Sequence, residues 1–160
     1  MTLETPVGQL TLLAAGGFIT GVYWTGFPDE RLTDFRSKND ADETPVLRLA
    51  AAQLDEYFRG ARKVFDVPLK PAGGAFFQRV WDIMRREITY GTTVSYSALA
   101  AMAGKPGAAR AVGMANNRNP LPIFIPCHRV LGKSGALTGF RPGLDKKEWL
   151  LAHESKNSKP

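Results

Sequence analysis

The sequence predicts an α/β protein in two parts: a small α/β lobe over residues 1–72 and a mostly helical domain over residues 73–157, with a frayed tail at 158–160. Three observations predict it. Apolar residues alternate early in the chain around one amphipathic stretch. Pro71-Ala-Gly-Gly74 reads as a linker. Beyond it the apolar residues recur at helical spacing.

In chain order, Gly8 to Trp24 alternates loosely and turns at Gly16-Gly17, which predicts a β-hairpin. Pro28, Asp29, Glu30 and then Ser37 to Glu43 read as an exposed loop. Thr44-Pro45 supplies an N-cap and a first helical residue, and Val46, Leu49, Ala50, Leu54, Tyr57 and Phe58 form one apolar face that ends near Gly60. Val64 to Leu69 reads as a short strand. After the linker, Phe76, Phe77, Val80, Trp81, Met84 and Ile88 share a helical face, closed by Tyr90-Gly91. Ser95 caps a helix with Leu99 and Met102 on its apolar side, stopped by Gly104. A turn at Lys105-Pro-Gly107 leads to a helix from about Ala108 to Asn116. Helix, glycine-bearing turn and helix make a helix-turn-helix pattern. A last helix covers Asp145 to Glu154, and the chain frays from Ser155 to Pro160.

Composition narrows the function. At 160 residues with 44% apolar and 22% charged residues, the chain can bury a real core. A single cysteine excludes an internal disulfide and points to a reducing compartment. Met1 to Pro6 lacks a basic segment before an apolar run, so no signal peptide is expected, and no apolar run approaches a membrane span. Residues 1–75 hold 8 Lys/Arg against 10 Asp/Glu, a net of −2; residues 76–160 hold 13 against 5, a net of +8. The basic half is either a polyanion-binding surface or a soluble face. The helix from Ala108 carries Ala108, Ala109, Ala111 and Gly113 around Arg110. Such small side chains suit close approach to a groove or tight packing on a neighbour.

The cysteine stands in Ile125-Pro-Cys-His-Arg-Val130, after three prolines in the seven residues from Pro120 to Pro126. A lone cysteine is usually a small buried hydrophobe. Here His128 and Arg129 follow it, and a thiol acts as a nucleophile once a base or positive charge yields the thiolate. Neighbours on an extended chain point apart, so His128 needs a bridging water or a bend. On the last helix Lys147, Leu150, Leu151 and Glu154 share a face. A Glu154–His128–water–Cys127 relay would satisfy the carboxylate and polarise the thiol; alternatively both charges reach water.

Pro-Cys-His-Arg-Val in register with Arg110-Ala-Val-Gly113, Asn119-Pro-Leu-Pro122 and Lys147-Glu-Trp-Leu-Leu-Ala-His-Glu154 resembles the O6-alkylguanine-DNA alkyltransferases. The likeness is close over residues 76–154 and weaker in Thr5-Pro-Val-Gly-Gln-Leu-Thr-Leu12. It implies a ribonuclease H-like N-terminal lobe and a winged helix-turn-helix-like C-terminal domain. It also implies repair by direct reversal, with the alkyl group of O6-alkylguanine, and by extension of O4-alkylthymine, moved once and irreversibly to Cys127. His128 and Glu154 match the relay, Asn119 the hinge residue, Tyr96 the proton donor to the leaving guanine, and Lys147 a supporting lysine. Arg110 matches the finger that fills the stack after base flipping. Ala108, Ala109, Ala111 and Gly113 match the minor-groove helix, with Thr93 and Ser95 as further DNA contacts. Tyr96, Val130, Phe140, Arg141 and Pro142 match the base pocket.

The implied partner is double-stranded DNA, bound by a monomer that can act cooperatively on it; no cofactor, metal or membrane is implied, and the implied location is cytoplasmic, on the nucleoid if bacterial. Relatives often carry a tyrosine and glycines where this chain reads Gly139-Phe-Arg-Pro-Gly143, so its tolerance for bulky adducts is expected to differ. Proteins of similar body without the acceptor cysteine bind lesions without repairing them, and Cys127 argues against that alternative.

Overall fold

The computed structural model describes residues 1–27 and 44–159, so the loop expected around Pro28 to Glu43 lies outside the described residues. These fall into two compact units, Met1–Ala72 and Gly73–Pro160.

In the first unit β1 (Thr2–Thr5), β2 (Gly8–Ala15) and β3 (Phe18–Trp24) form an antiparallel sheet in that order. The hairpin turns at Gly16 and Gly17, both at positive φ, where a side chain would be strained. Its alternation buries Leu10, Leu12 and Ala14 on one face, under α1 (Pro45–Phe58). α1 contributes Val46, Leu47, Ala50, Leu54 and Tyr57. β1 was not legible in the sequence; it pairs Thr2 to Thr5 with Thr11 to Gly8.

Three expectations need correction in this unit. Leu49 is exposed, because the buried stripe of α1 runs through Leu47 and Gln53 instead. Thr44 precedes α1 but its hydroxyl makes no capping bond. Val64–Leu69 is not a strand. It makes one bridge, Ile19 to Leu69, with Ile19 N donating to Pro68 O (2.9 Å) and Lys70 N to Ile19 O (2.9 Å). Pro68 has no N–H with which to extend a ladder.

The second unit holds α2 (Ala75–Glu87), β4 (Val94–Ser95), α3 (Tyr96–Met102), α4 (Ala109–Asn117), β5 (Val130–Leu131) and α5 (Leu144–Ser158). Val80, Trp81 and Met84 of α2 are buried, and the Trp81 indole donates to Ala115 O at 2.7 Å, tying α2 to α4. Ser95 caps α3 by accepting from Ala98 N (3.1 Å). Met102, expected on the apolar side of α3, is exposed; Leu99 and Ala100 fill that role. β4 and β5 pair in parallel, Val94 with Val130 and Ser95 with Leu131.

The tail also departs from expectation. α5 continues to Ser158, because Asn157 donates back to His153 O and Gly91 leaves room beside Ser158. A Cβ at Gly91 would stand 2.6 Å from that of Ser158.

Candidate active site

The segment before the cysteine is held by one side chain. Asn119 Nδ2 donates to Ile125 O (2.9 Å), and its Oδ1 accepts from Leu121 N (2.9 Å). Ile125 N closes on Leu121 O (2.8 Å), with Ile123 at φ 76 inside the loop. Every residue from Asn119 to Val130 is buried. Asn119→Ala is expected to leave the buried Leu121 N–H unpaired, while Ile125 O keeps its bond from Cys127 N (2.8 Å), costing about 1–3 kcal/mol; a urea denaturation midpoint measures it.

The chain then bends. Cys127–Arg129 forms a 3-10 turn rather than an extended strand, with Arg129 N donating to Pro126 O (3.0 Å). The turn lets consecutive side chains reach one helix. His128 Nε2 lies 2.7 Å from Glu154 Oε1, and Arg129 spans the same carboxylate through Nε to Oε2 (2.8 Å) and Nη2 to Oε1 (2.9 Å). Gly91 N gives Oε2 a further donor at 3.2 Å, and Arg129 Nη1 donates to Ile88 O at 2.6 Å. Lys147 and Glu154 are 0% and 1% exposed, so the possibility that these helix charges reach water is excluded.

Burial favours a neutral Glu154, yet hydrogen bonds and charge from His128 and Arg129 outweigh it and hold the carboxyl well below its usual range. Glu154 is therefore an acceptor only, and His128 Nε2 must carry the proton between them. Burial also lowers the proton affinity of His128, against the pull of Glu154, so the imidazole is neutral. Its Nδ1 is buried and has no hydrogen-bond partner among the described residues. That lone pair is open to accept a proton.

The thiol corrects an expectation. The basic residues beside Cys127 suggested a lowered affinity for its proton; burial instead pushes the thiol up, opposed by hydrogen bonding from Asn119 and the charge of Lys147. His128 is uncharged and Arg129 is committed to Glu154, so neither neighbour offers the positive charge its type suggested. A neutral thiol beside a neutral base ionises only when the proton is taken, and the resulting high-affinity thiolate is the stronger nucleophile.

Lys147 is buried at 0% exposure and donates from Nζ to Val130 O (2.7 Å) and Thr138 O (2.8 Å). Thr138 O also takes the Tyr96 hydroxyl at 3.4 Å. The structure thus gathers Cys127, His128, Glu154, Asn119 and Lys147, with Tyr96 joined through Thr138. Val130 and Phe140 are buried, Pro142 half-buried and Arg141 exposed. On α4 Arg110 and Ala111 are exposed, and Ala109 and Gly113 half-buried, as is Ala108 before it; Thr93 is exposed and Ser95 half-buried. Arg129, read from the sequence only as a charge beside the thiol, is the residue whose place on Glu154 that reading missed. No cluster of His, Cys, Asp or Glu among the described residues could hold a metal ion, and no described helix is long and apolar enough to cross a membrane.

Two family models match the chain: the DNA-binding domain of 6-O-methylguanine DNA methyltransferase over residues 75–156, and its ribonuclease-like domain over residues 1–71. The constitutive methylated-DNA–protein-cysteine methyltransferase of Bacillus subtilis is 46% identical over 142 residues, 87% of this chain and 84% of the relative. That of Methanosarcina acetivorans is 42% identical over 151 residues, 94% of each. The crystal structure of Mycobacterium tuberculosis O6-methylguanine methyltransferase superposes with a TM-score of 0.87 at 39% identity, covering 99% of this chain and 93% of that one. A Mycobacterium tuberculosis OGT in complex with DNA gives 0.84 at 39% identity, covering 98% and 92%. Matched along both units and more than 40% identical to relatives over most of their length, the chain belongs to the 6-O-methylguanine DNA methyltransferase family.

Proposed function

We propose that this chain repairs DNA by direct reversal, moving the alkyl group from O6 of guanine to Cys127 in one irreversible step. The observation that carries the reading is a buried thiol whose next residue is a neutral histidine, held through Nε2 by a buried carboxylate and open at Nδ1. His128 takes the thiol proton at Nδ1 through a bridging water, and Glu154 stabilises the imidazolium. Sγ attacks the alkyl carbon in line. The carbon–O6 bond breaks with its electron pair on guanine, Tyr96 donates a proton to the ring, and the proton from His128 makes good that loss. The guanine thus carries the former Tyr96 proton, the thiol proton ends on Tyr96 by way of His128, and the sulfur keeps the alkyl group as a thioether. Lys147 favours the thiolate electrostatically. Nothing in the displacement needs a cofactor.

A stacked guanine shields its O6, so the nucleotide must be flipped at a cost of a few kcal/mol. The small-residue face formed by Ala108, Ala109, Ala111 and Gly113 lets α4 approach the minor groove, and Arg110 fills the vacated stack. Thr93 and Ser95 meet the backbone, while Val130, Phe140, Arg141 and Pro142 line the base pocket. The basic second half supplies the sequence-independent attraction. The reading also has the protein act as a monomer in the cytoplasm.

Intact mass after mixing with a duplex carrying O6-methylguanine tests this. One methyl gained on Cys127, guanine restored and no second cycle support it. An unchanged mass with tight binding would make the chain a lesion binder. Pro142 stiffens the segment that covers the flipped base, so Pro142→Gly is expected to speed inactivation by O6-benzylguanine; equal rates would discard that role.

A further inference from the structure

Arg129 carries an inference that rests on the reading above. It is 6% exposed, and its guanidinium is fixed on three sides: both oxygens of Glu154 and the carbonyl of Ile88. We propose that Arg129 is a positioning residue which, by neutralising Glu154 through both of its oxygens, keeps Nδ1 unprotonated and ready to accept the thiol proton.

Charge balance gives the reason. A buried carboxylate facing a histidine alone would recruit a proton and rest as an imidazolium–carboxylate pair, because one uncompensated buried charge costs more than a pair. Such a histidine has no lone pair to offer. With Arg129 bidentate on Glu154 the pair is already balanced, and another proton would leave a net buried positive charge. The remaining titratable groups facing the site are Lys147 from α5, Tyr90 from the loop after α2, and Cys127. Lys147 adds to the repulsion, as Arg129 does. Tyr90 lies with its ring 5.8 Å from the guanidinium carbon. Glu154 still steadies the imidazolium once the proton has moved. Arg129 therefore trades some of that pull for the correct resting state.

The experiment reads His128 directly. The chain has two histidines, so a His153→Gln background leaves one imidazole to titrate by 15N NMR. In that background His128 is expected to titrate below its ordinary value of about 6.5. Arg129→Met should raise the midpoint by about 1–3 pH units, as expected when a buried carboxylate loses its second cation. The acid limb of the methyl-transfer rate should move with it. Arg129→Lys should raise the midpoint less, since one ammonium cannot span both oxygens. Arg129→Met with Glu154→Gln should bring it back down. A midpoint that stays or falls in Arg129→Met, or in Arg129→Lys where the methionine variant does not fold, overturns the proposal. A parent that takes no methyl while the midpoints shift as stated would sink the repair reading and leave this one standing.

Discussion

Cys127→Ser is expected to lose methyl transfer by roughly 10⁴-fold or more, the scale seen when a nucleophile is removed from a set of groups that act together. A hydroxyl binds its proton far more tightly than a thiol, and neutral His128 cannot remove it to useful extent. The residue is small and 5% exposed, so an oxygen in place of sulfur keeps the packing. Duplex binding should therefore persist with little change. Single-turnover rates on an O6-methylguanine duplex, with filter binding alongside, check both halves. Transfer at a comparable rate would remove Cys127 from the reaction.

Glu154→Gln is expected to cost about 3–5 kcal/mol of stability, the penalty for leaving the buried cation of Arg129 without its partner. Four donors converge on this carboxylate, from His128, from Arg129 twice and from Gly91. An amide has one acceptor oxygen and brings two N–H groups into a cluster of donors. The pH dependence should change as well. The folded-state affinity of Glu154 for its proton is depressed, so its contribution is complete above the unfolded value of about 4.3 and is lost as pH falls below it. His128 is held neutral by burial, so its own penalty begins as pH drops through about 6.5. Melting temperature against pH should show both limbs in the parent and only the upper one in Glu154→Gln. An unchanged lower limb would mean that another carboxylate sets acid stability.

Much of the site could be read from the chain because its chemistry is local. Cys127 and His128 directly follow seven residues with three prolines, and Lys147 and Glu154 lie two turns apart on a helix whose spacing marks an inward face. The pairing of Arg129 with Glu154 escaped notice for a physical reason. Its role depends on the bend at Cys127–Arg129, which brings two successive side chains to one carboxylate; extended chain would have sent them apart. The thiol was misjudged for a related one. Sequence shows which charges are near but not which are already paired, nor how completely the sulfur is enclosed. In the fold, periodicity located the helices but not the width of their covered faces, hence Leu49 and Met102. Val64 to Leu69 looked like a strand by composition, while pairing is decided by available N–H groups, which Pro68 lacks.

The convergence of donors on Glu154 has a consequence for how the protein comes into being. The oxygens that orient the imidazole lie 26 residues beyond it, so they are translated after it. Until α5 has docked, the arginine two residues after the sulfur has no carboxylate to hold. A chain in which α5 has not docked thus lacks the carboxylate that orients His128.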